Sequence, residues 1–489
     1  MSEQSRSPHR RPRRGHRPGR GGGSGPSGQP PRPRDPARRT AYDVLLAVEQ
    51  RDAYANLLLP ALLRERGIGG RDAALATELT YGTLRHQGTY DAVLQMCVDR
   101  TLASVDREAL PVLRLGAHQL LSTNVPSHAA VSATVDLARK VVGHHRARFV
   151  NAVLRKVSAR DLQAWISVVA PDRGTDPSGY LSVVHSHPRW VVKALARTLG
   201  EHSSTGLVET ERLLAAQNER PRVTLVAKPG RARAADLVAA GAEQARYSPY
   251  AAYLAEGDPS AVREVRQHRA AVQDEASQMV ALALTRVDAR GRDALWLDMC
   301  AGPGGKAGLL ACLAGQREAR LLASEAQPGR AGLVATAVHR APRDAGRAIA
   351  ADGTAPAWRP GTFDRVLVDV PCTGLGALRR RPEARWRRTP QSVEELVPLQ
   401  RDLLTSAVES VRPGGVVAYV TCSPLLEETD AVVREVLDGR GDLTLLRAPD
   451  YLDEVPGLAA GPEGRYAQFW PHRHGTDAMF LALLRRDEG

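Results

Sequence analysis

The stretch Leu297-Asp298-Met299-Cys300-Ala301-Gly302-Pro303-Gly304-Gly305-Lys306 decides the fold, because an apolar strand runs directly into a glycine-rich turn. The pattern predicts a strand over 294–299 and a helix over 307–313. Glycines at such a turn let a ligand approach the backbone, and ligands settle at the carboxyl ends of these strands. Purely structural glycines are at least as common there, so the turn alone leaves the presence of a ligand open.

Carboxylates follow the next two predicted strands. Strands are predicted at Arg320–Ser324, Arg347–Ala351, Arg365–Val370 and Gly415–Val420, and helices fit between them, which indicates a parallel sheet with crossover helices. Glu325 follows the first of these strands and is placed to bind ribose hydroxyls, whereas Asp352 follows the second and is placed to accept from an adenine amino group. The turn lacks the spacing of the dinucleotide fingerprint, so the sequence predicts a different adenosine-containing cofactor.

Two cysteines follow two predicted strands that we expect to be neighbours. Residues 363–374 read Phe-Asp-Arg-Val-Leu-Val-Asp-Val-Pro-Cys-Thr-Gly, and residues 416–424 read Val-Val-Ala-Tyr-Val-Thr-Cys-Ser-Pro. Adjacent strand ends of a parallel sheet open onto one crevice, so we expect Cys372 and Cys422 to face the nucleotide pocket together. An inert buried thiol is the commoner fate of a free cysteine, but two at matching strand ends favour a chemical role.

Four segments resemble, in the same order, the motifs of the Sun/Fmu (RsmB) family of RNA cytosine-5 methyltransferases. They are Val272–Gln278 (Val-Gln-Asp-Glu-Ala-Ser-Gln), Cys300–Lys306, Asp369–Cys372 (Asp-Val-Pro-Cys) and Thr421–Pro424 (Thr-Cys-Ser-Pro). The resemblance implies an α/β Rossmann-like S-adenosylmethionine-dependent methyltransferase domain. It assigns S-adenosyl-L-methionine to Cys300, Ala301, Gly302, Pro303, Gly304, Gly305, Lys306, Glu325, Asp352 and Asp369. Gly302 stands where the family often has alanine, and Glu325 stands where aspartate is usual.

The residues alone do not rank the two cysteines, because DNA cytosine-5 methyltransferases use a Pro-Cys nucleophile. The resemblance implies that Cys422 is the nucleophile, which adds to carbon 6 of the base, and that Cys372 assists product release. Asp369 is placed to bind the ring at N3, and Lys306 is placed to steady the base or Asp369. The target base must be unstacked to reach this pocket.

A basic segment follows Cys372 closely. Leu378–Arg388 contains six arginines and one tryptophan, a composition that suits phosphate contacts and base stacking. Only five of the 67 basic residues of the chain are lysine, which weakens any argument from an arginine run. We still predict RNA contacts for Arg379, Arg380, Arg381, Arg385 and Trp386.

The region 39–164 is predicted to be all-helical, because apolar residues recur at three- and four-residue spacing. Its last helices are basic and offer Lys140, Arg146 and Arg148 as RNA contacts, with a solvated helix surface as the alternative. Four segments resemble the NusB family of helical RNA-binding domains: Ala41–Val48, Leu79–Leu84, Leu115–Leu120 and Phe149–Lys156. The chain is thus predicted to be multidomain, with an all-α NusB-like domain before the methyltransferase domain.

Two further segments complete the predicted organisation. Residues 1–38 are rich in Arg, Gly and Pro and are predicted to be a disordered tail, which is either an electrostatic arm for RNA or a solvated extension. Residues 165–270 are predicted to form a linker, broken at 171–179, and a small α+β module. Residues 271–489 form the predicted catalytic domain.

Composition limits the cellular compartment and the binding partners that we expect for the chain. The net charge is +13, but residues 1–40 hold 11 arginines against two acids, so the folded part must bind RNA through local patches. Five cysteines without a CxxC pair predict neither disulfides nor a metal site. No run of about 18 apolar residues and no secretory signal is present. We therefore expect a cytoplasmic monomer with RNA as its partner and with no membrane or metal requirement.

The expected function is that of a ribosomal RNA methyltransferase with small-subunit 16S rRNA as its substrate. Three alternatives remain open from sequence. A tRNA cytosine-5 methyltransferase shares the chemistry, and the NusB-like region argues mildly against it. A non-catalytic NusB-type RNA-binding or antitermination factor would not need the glycine turn and both cysteines. A DNA cytosine-5 methyltransferase is disfavoured by the second cysteine and by the helical domain.

Overall fold

A computed structural model describes residues 35–202, 207–255 and 257–488, so positions 1–34 of the predicted tail lie outside the described residues. The first helix, α1 (Pro36–Arg51), begins inside the predicted tail. Asp35 caps it by accepting a hydrogen bond from the Arg38 backbone N–H at 3.0 Å, and Pro36 occupies the first turn. These local signals start the helix before the predicted boundary at residue 39.

Six more helices complete the N-terminal bundle. They are α2 (Ala55–Glu65), α3 (Gly70–Arg85), α4 (Gln87–Cys97), α5 (Ala109–Ser122), α6 (Ser127–Val141) and α7 (Gly143–Val157). Their apolar faces share one core, in which Leu79, Val93, Leu113 and Val150 are fully or almost fully buried. The predicted all-helical domain is confirmed, with helix ends extended by a few residues beyond the apolar pattern.

Helices continue where the linker is predicted. They are α8 (Leu162–Val169), α9 (Pro177–Val184), α10 (Arg189–Thr198) and α11 (Val208–Asn218). The Pro- and Asp-containing segment at 171–179 leads into α9, because the Asp176 carboxylate accepts from the Gly179 backbone N–H at 3.0 Å and caps the helix. Helices therefore lie on both sides of the predicted break at 171–179. The same residue types that break a helix also begin one.

A small antiparallel sheet joins the helical part to the remainder of the chain. Its elements are β1 (Val223–Ala227), α12 (Ala234–Ala239), β2 (Glu243–Gln244), β3 (Ala251–Leu254), α13 (Arg263–Arg266) and β4 (Ala270–Val272), with strand order β2-β3-β1-β4. Strand β1 is the central strand of the three-stranded part β3-β1-β4. Strand β4 crosses the predicted boundary at residue 270, because it pairs with β1 and not with the catalytic sheet.

The C-terminal part is a mixed sheet flanked by helices. Its elements are α14 (Glu275–Arg286), β5 (Leu295–Asp298), α15 (Gly305–Gln316), β6 (Arg320–Glu325), α16 (Pro328–Val338), β7 (Gly346–Ala350), β8 (Phe363–Asp369), α17 (Ala384–Arg387), α18 (Pro390–Ser410), β9 (Val411–Thr421), α19 (Asp430–Asp438), β10 (Leu443–Leu446), β11 (Ala459–Ala460), β12 (Tyr466–Gln468), α20 (Pro471–His474) and β13 (Phe480–Arg486). The order is β11-β12-β13-β9-β8-β5-β6-β7, with β10 paired to β13.

Strands β5 to β9 pair in parallel, as predicted, and form the half of the sheet that carries the motifs. Strand β5 lies between β6 and β8, so the chain reverses its direction of winding there. A crevice forms at such a reversal, outside the carboxyl ends of the strands. Strands β10 to β13 are antiparallel additions that the sequence did not predict, since their short segments lack a clear alternation.

Among the residues that the structure describes, no helix has the length and apolar character needed to cross a membrane.

Candidate active site

The glycine-rich turn lies at the carboxyl end of β5, in the crevice. Gly304 has a φ of +111°, and a Cβ there would lie 2.6 Å from the Ala337 Cβ, so only glycine fits without displacement. Helix α15 begins at the next residue, Gly305. The turn therefore brings bare backbone and a helix N-terminus to the edge of the crevice.

Asp298, the last residue of β5, is a buried carboxylate at the back of this crevice. Neither of its carboxylate oxygens has a hydrogen-bond partner among the described residues. Burial, with the neighbouring charge of Asp369, raises the pKa of Asp298 to about 8. An unpartnered buried carboxylate beside an open crevice is suited to a ligand that brings donors or positive charge.

Glu325 ends β6 on the other side of the turn. Its carboxylate accepts from the Gln327 backbone N–H at 3.0 Å and lies 3.5 Å from the Arg330 guanidinium. A Cβ on Gly302 would lie 1.9 Å from the Glu325 Oε2. The two departures from the family pattern are thus physically linked, because the longer glutamate occupies the space that an alanine at 302 would take.

Asp352 and Lys306 have contrasting surroundings. Asp352 follows β7 and is exposed at the rim, where its carboxylate accepts from the Thr354 backbone N–H and hydroxyl, both at 2.9 Å. Lys306 lies in the first turn of α15, and its Nζ donates to Asp369 Oδ2 at 2.7 Å. Burial alone would lower the pKa of Lys306, but Asp369 raises it above its ordinary value. Lys306 therefore stays positively charged inside the crevice.

Cys372 and Cys422 meet in this crevice, as predicted from their positions at adjacent strand ends. Their Sγ atoms are 3.3 Å apart, and both residues are half-buried. The contact with Cys372 lowers the pKa of Cys422, burial and the charge of Asp369 oppose this effect, and the charges of Lys306 and Arg381 lower the pKa further. The same contact, with burial, raises the pKa of Cys372. The two thiols are therefore close enough to share a proton, and either sulfur can be the donor.

A buried carboxylate that the sequence analysis missed holds the Pro-Cys turn. Glu428 accepts from the Thr373 backbone N–H at 2.8 Å and from its hydroxyl at 2.5 Å, and it is fully buried. Gln400 donates to Glu428 at 3.0 Å and to the Pro371 carbonyl at 2.8 Å. Glu428 therefore fixes the backbone on both sides of Cys372. Its position six residues after Cys422 is the only signal that could have identified it.

The predicted RNA segment is largely internal: Arg379 and Arg385 are buried, which argues against their predicted RNA contacts, and Arg380 and Trp386 are half-buried. Arg379 and Arg380 form ion pairs with Asp477 at 3.2 and 2.9 Å, and Arg380 also pairs with Asp274 at 2.7 Å. These pairs join the first motif, which contains Asp274, to the turn between α20 and β13, which contains Asp477. Asp274 and Asp477 are distant from these arginines in the sequence, so the arginine segment appeared to have no acidic partners.

The second half of this segment docks onto the N-terminal helices. Arg385 is fully buried and donates to the Ser186 carbonyl at 2.9 Å and to the Asn218 side chain at 2.8 Å. Trp386 packs against Gly88, where a Cβ would lie 2.4 Å from its ring. Both side chains serve the contact between domains, and neither is placed to reach RNA. Of the five predicted contacts, Arg381 alone is exposed.

The predicted basic residues of the N-terminal domain are exposed but differ in their partners. Arg148 lines a groove of about 1010 Å³ between α6 and α7, together with Arg139, His144, His145 and Arg155. Arg146 forms an ion pair with Asp106 at 2.8 Å, and Lys140 lines a neighbouring cavity that also contains acids. Arg148 therefore belongs to the most basic surface of the three.

Comparison with known proteins gives two matching families. Residues 284–485 match the family described as "16S rRNA methyltransferase RsmB/F", and residues 35–159 match the "NusB family". A Mycobacterium tuberculosis protein named as a candidate methyltransferase, Rv1407, is 51% identical over 93% of this chain and 97% of its own length. "Ribosomal RNA small subunit methyltransferase B" of Xanthomonas campestris is 33% identical over 85% of this chain and 89% of its own length.

One solved structure resembles nearly the whole chain. The crystal structure of PH0851 superposes with a TM-score of 0.75, at 21% identity, and covers 92% of this chain and 98% of the other. At that identity the likeness concerns the fold.

Proposed function

The chain belongs to the RsmB/F family of 16S rRNA methyltransferases, and from this membership we infer that it methylates carbon 5 of a cytosine in small-subunit ribosomal RNA. The observation that carries the chemistry is the contact between the Cys372 and Cys422 sulfurs at 3.3 Å, beside the Lys306–Asp369 pair. Carbon 5 of cytosine is a poor nucleophile, and a neighbouring thiolate supplies the activation that it needs.

The crevice suits S-adenosyl-L-methionine, which supplies an electrophilic methyl group when bound. The unpartnered oxygens of Asp298 are suited to the positive methionine moiety, because a buried carboxylate needs a donor. Glu325, at the end of β6, is suited to ribose hydroxyls, and the exposed Asp352 is suited to the adenine amino group. The turn Cys300–Lys306 presents backbone and the N-terminus of α15 at the carboxyl end of β5, where ligands bind in such sheets.

The reaction follows from the two thiols. The Cys422 thiolate forms a bond to carbon 6, and the electron pair released from the 5,6 double bond is held as an enamine. Carbon 5 of the enamine then attacks the methyl carbon while the bond from that carbon to the sulfonium sulfur breaks, so the cofactor would leave as the neutral thioether S-adenosylhomocysteine. Asp369, fixed by Lys306, binds the base at its N3 edge and favours the addition. Cys372 then assists removal of the proton from carbon 5, and the Cys422–carbon 6 bond breaks as the double bond re-forms.

The exposed groove between α6 and α7 is our candidate for holding RNA outside the active site. Its arginines and histidines form a local patch on a protein whose excess charge lies elsewhere, in residues 1–40. Such patches neutralise phosphates and position RNA without reading its sequence.

The reaction is tested by incubating the protein with labelled S-adenosylmethionine and unmodified small-subunit rRNA, followed by nucleoside analysis. We expect label in 5-methylcytidine at one site, and much less transfer to tRNA. Label in another nucleoside would overturn the carbon 5 assignment, and preferential labelling of tRNA would overturn the substrate.

Gly302→Ala is expected to weaken binding of S-adenosylmethionine about tenfold or more, because the new Cβ displaces the Glu325 carboxylate from the ligand, and a hydrogen bond to a charged group is worth about 1.5–3 kcal/mol. The clash involves the flexible ends of two side chains, Glu325 and Arg330, so the protein should still fold. Isothermal titration with the cofactor measures the effect.

The matched control is Glu325→Asp in the Gly302→Ala background. Aspartate is one methylene shorter and relieves the contact, so the double variant should bind the cofactor better than Gly302→Ala alone. Equal affinities for the single and double variants would contradict the proposed link between the two positions.

A further inference from the structure

One arginine of the segment Leu378–Arg388 differs from the other five. Arg379, Arg380, Arg385, Arg387 and Arg388 all donate to carbonyl or carboxylate oxygens within the protein. Arg381 is exposed, and its guanidinium makes neither a hydrogen bond nor an ion pair with any residue that the structure describes. The segment is held beside Cys372, because Arg388 donates to the Thr373 carbonyl at 3.0 Å. The charge of Arg381 also lowers the pKa of Cys422. An unpaired cation therefore stands at the rim of the active site.

The aromatic partner of Arg381 comes from the other domain. The Arg381 guanidinium lies 5.4 Å from the ring centroid of Tyr54, which is in the connection between α1 and α2. Tyr54 is 41% exposed, and Leu57, on the first turn of α2, is 65% exposed. The Arg387 guanidinium also lies over the Tyr54 ring, 5.3 Å from its centroid. A partly exposed aromatic ring with cations beside it combines the elements that bind single-stranded RNA.

The backbone of this connection is fixed to the catalytic domain. Arg387 donates to the carbonyls of Val48, Asp52 and Ala53, and Glu383 accepts from the Ala55 backbone N–H at 3.2 Å. The Tyr54 carbonyl in turn accepts the first-turn hydrogen bonds of α2. The backbone around Tyr54 is therefore fixed against the segment Leu378–Arg388, and ordering it on RNA binding costs little conformational entropy.

We propose that Tyr54 and Arg381 form a nucleotide-binding platform at the mouth of the active site, which takes the RNA nucleotide next to the target cytosine. The Tyr54 ring stacks on that base, and Arg381 binds its phosphate. A base beside a flipped cytosine loses a stacking partner, and an aromatic side chain of the protein can replace it. The inference rests on the proposed function, and it makes the helical domain part of the catalytic crevice.

The test compares Tyr54→Ala, Tyr54→Phe and Arg381→Gln with the wild-type protein on rRNA. Because stacking on one base is worth about 1–3 kcal/mol, we expect Tyr54→Ala to raise the KM for RNA about tenfold, and Tyr54→Phe to leave it near the wild-type value. Arg381→Gln should lower the salt dependence of RNA binding by about 0.7 in the log–log slope, the value for one phosphate on a single strand. Tyr54→Ala should leave that slope unchanged.

The matched control is Arg160→Ala. Arg160 is also an exposed arginine on an aromatic ring, 5.3 Å from the Trp165 centroid, and lies at the end of the helical bundle. Its removal should change neither the KM nor the slope. Wild-type KM and slope in both Tyr54→Ala and Arg381→Gln would overturn the platform. Failure of the wild type to make 5-methylcytidine would overturn the proposed function instead, and RNA affinity would still test the platform.

Discussion

Cys422→Ala is expected to lower methyl transfer about 10⁴-fold or more, because loss of the nucleophile removes the covalent step that activates carbon 5. The thiol is half-buried and is replaced by a smaller side chain, so the fold and cofactor binding should persist. Transfer of labelled methyl to rRNA measures the activity, and cofactor titration confirms that the crevice is intact.

Cys312→Ala provides a control for the loss of a thiol elsewhere. Cys312 is 1% exposed in α15, within the core, and takes no part in the crevice. Its removal should cost stability and leave the rate of the folded protein near that of the wild type. Comparable activity for Cys422→Ala and Cys312→Ala would contradict the assignment of the nucleophile.

Cys372→Ala is expected to accumulate protein bound covalently to RNA. Addition by Cys422 and methyl transfer can proceed, whereas removal of the carbon 5 proton stalls without the second thiol, and the bond to carbon 6 then persists. Denaturing electrophoresis with labelled RNA should show a shifted band that withstands unfolding. The band should disappear when RNA is digested.

The double variant Cys372→Ala/Cys422→Ala decides which sulfur carries the RNA. We expect it to show no shifted band, since the attacking thiol is missing. Persistence of the band in the double variant, or its absence in Cys372→Ala under conditions in which the wild type methylates, would contradict the assigned roles.

Sequence predicted the parallel half of the catalytic sheet and the meeting of its two cysteines. Each of these strands is a short apolar run ending in a motif, and the topology of parallel strands then brings Cys372 and Cys422 together. In the sequence, Gly302 and Glu325 are two separate departures from the family pattern. Only the folded structure shows that the two residues are neighbours.

The arginine segment shows where sequence reasoning failed. Six arginines near Cys372 suggested one RNA surface, but Asp274 and Asp477, distant in the chain, neutralise two of them. Arg385 is buried by helices of the N-terminal region. Charge that is paired through tertiary contacts cannot be recognised from local composition, and the exposed Arg381 could not be separated from its neighbours.

The central claim is that Cys422 attacks carbon 6 of a cytosine that is methylated at carbon 5. Its most direct test uses wild-type protein, S-adenosylmethionine and rRNA containing 5-fluorocytidine, because fluorine cannot leave carbon 5 as a proton does and the adduct cannot be released. After digestion, mass spectrometry identifies the attached peptide. We expect the nucleotide on the peptide that contains Cys422. A nucleotide on Cys372 would reverse the two roles, and the absence of any adduct would contradict the covalent mechanism.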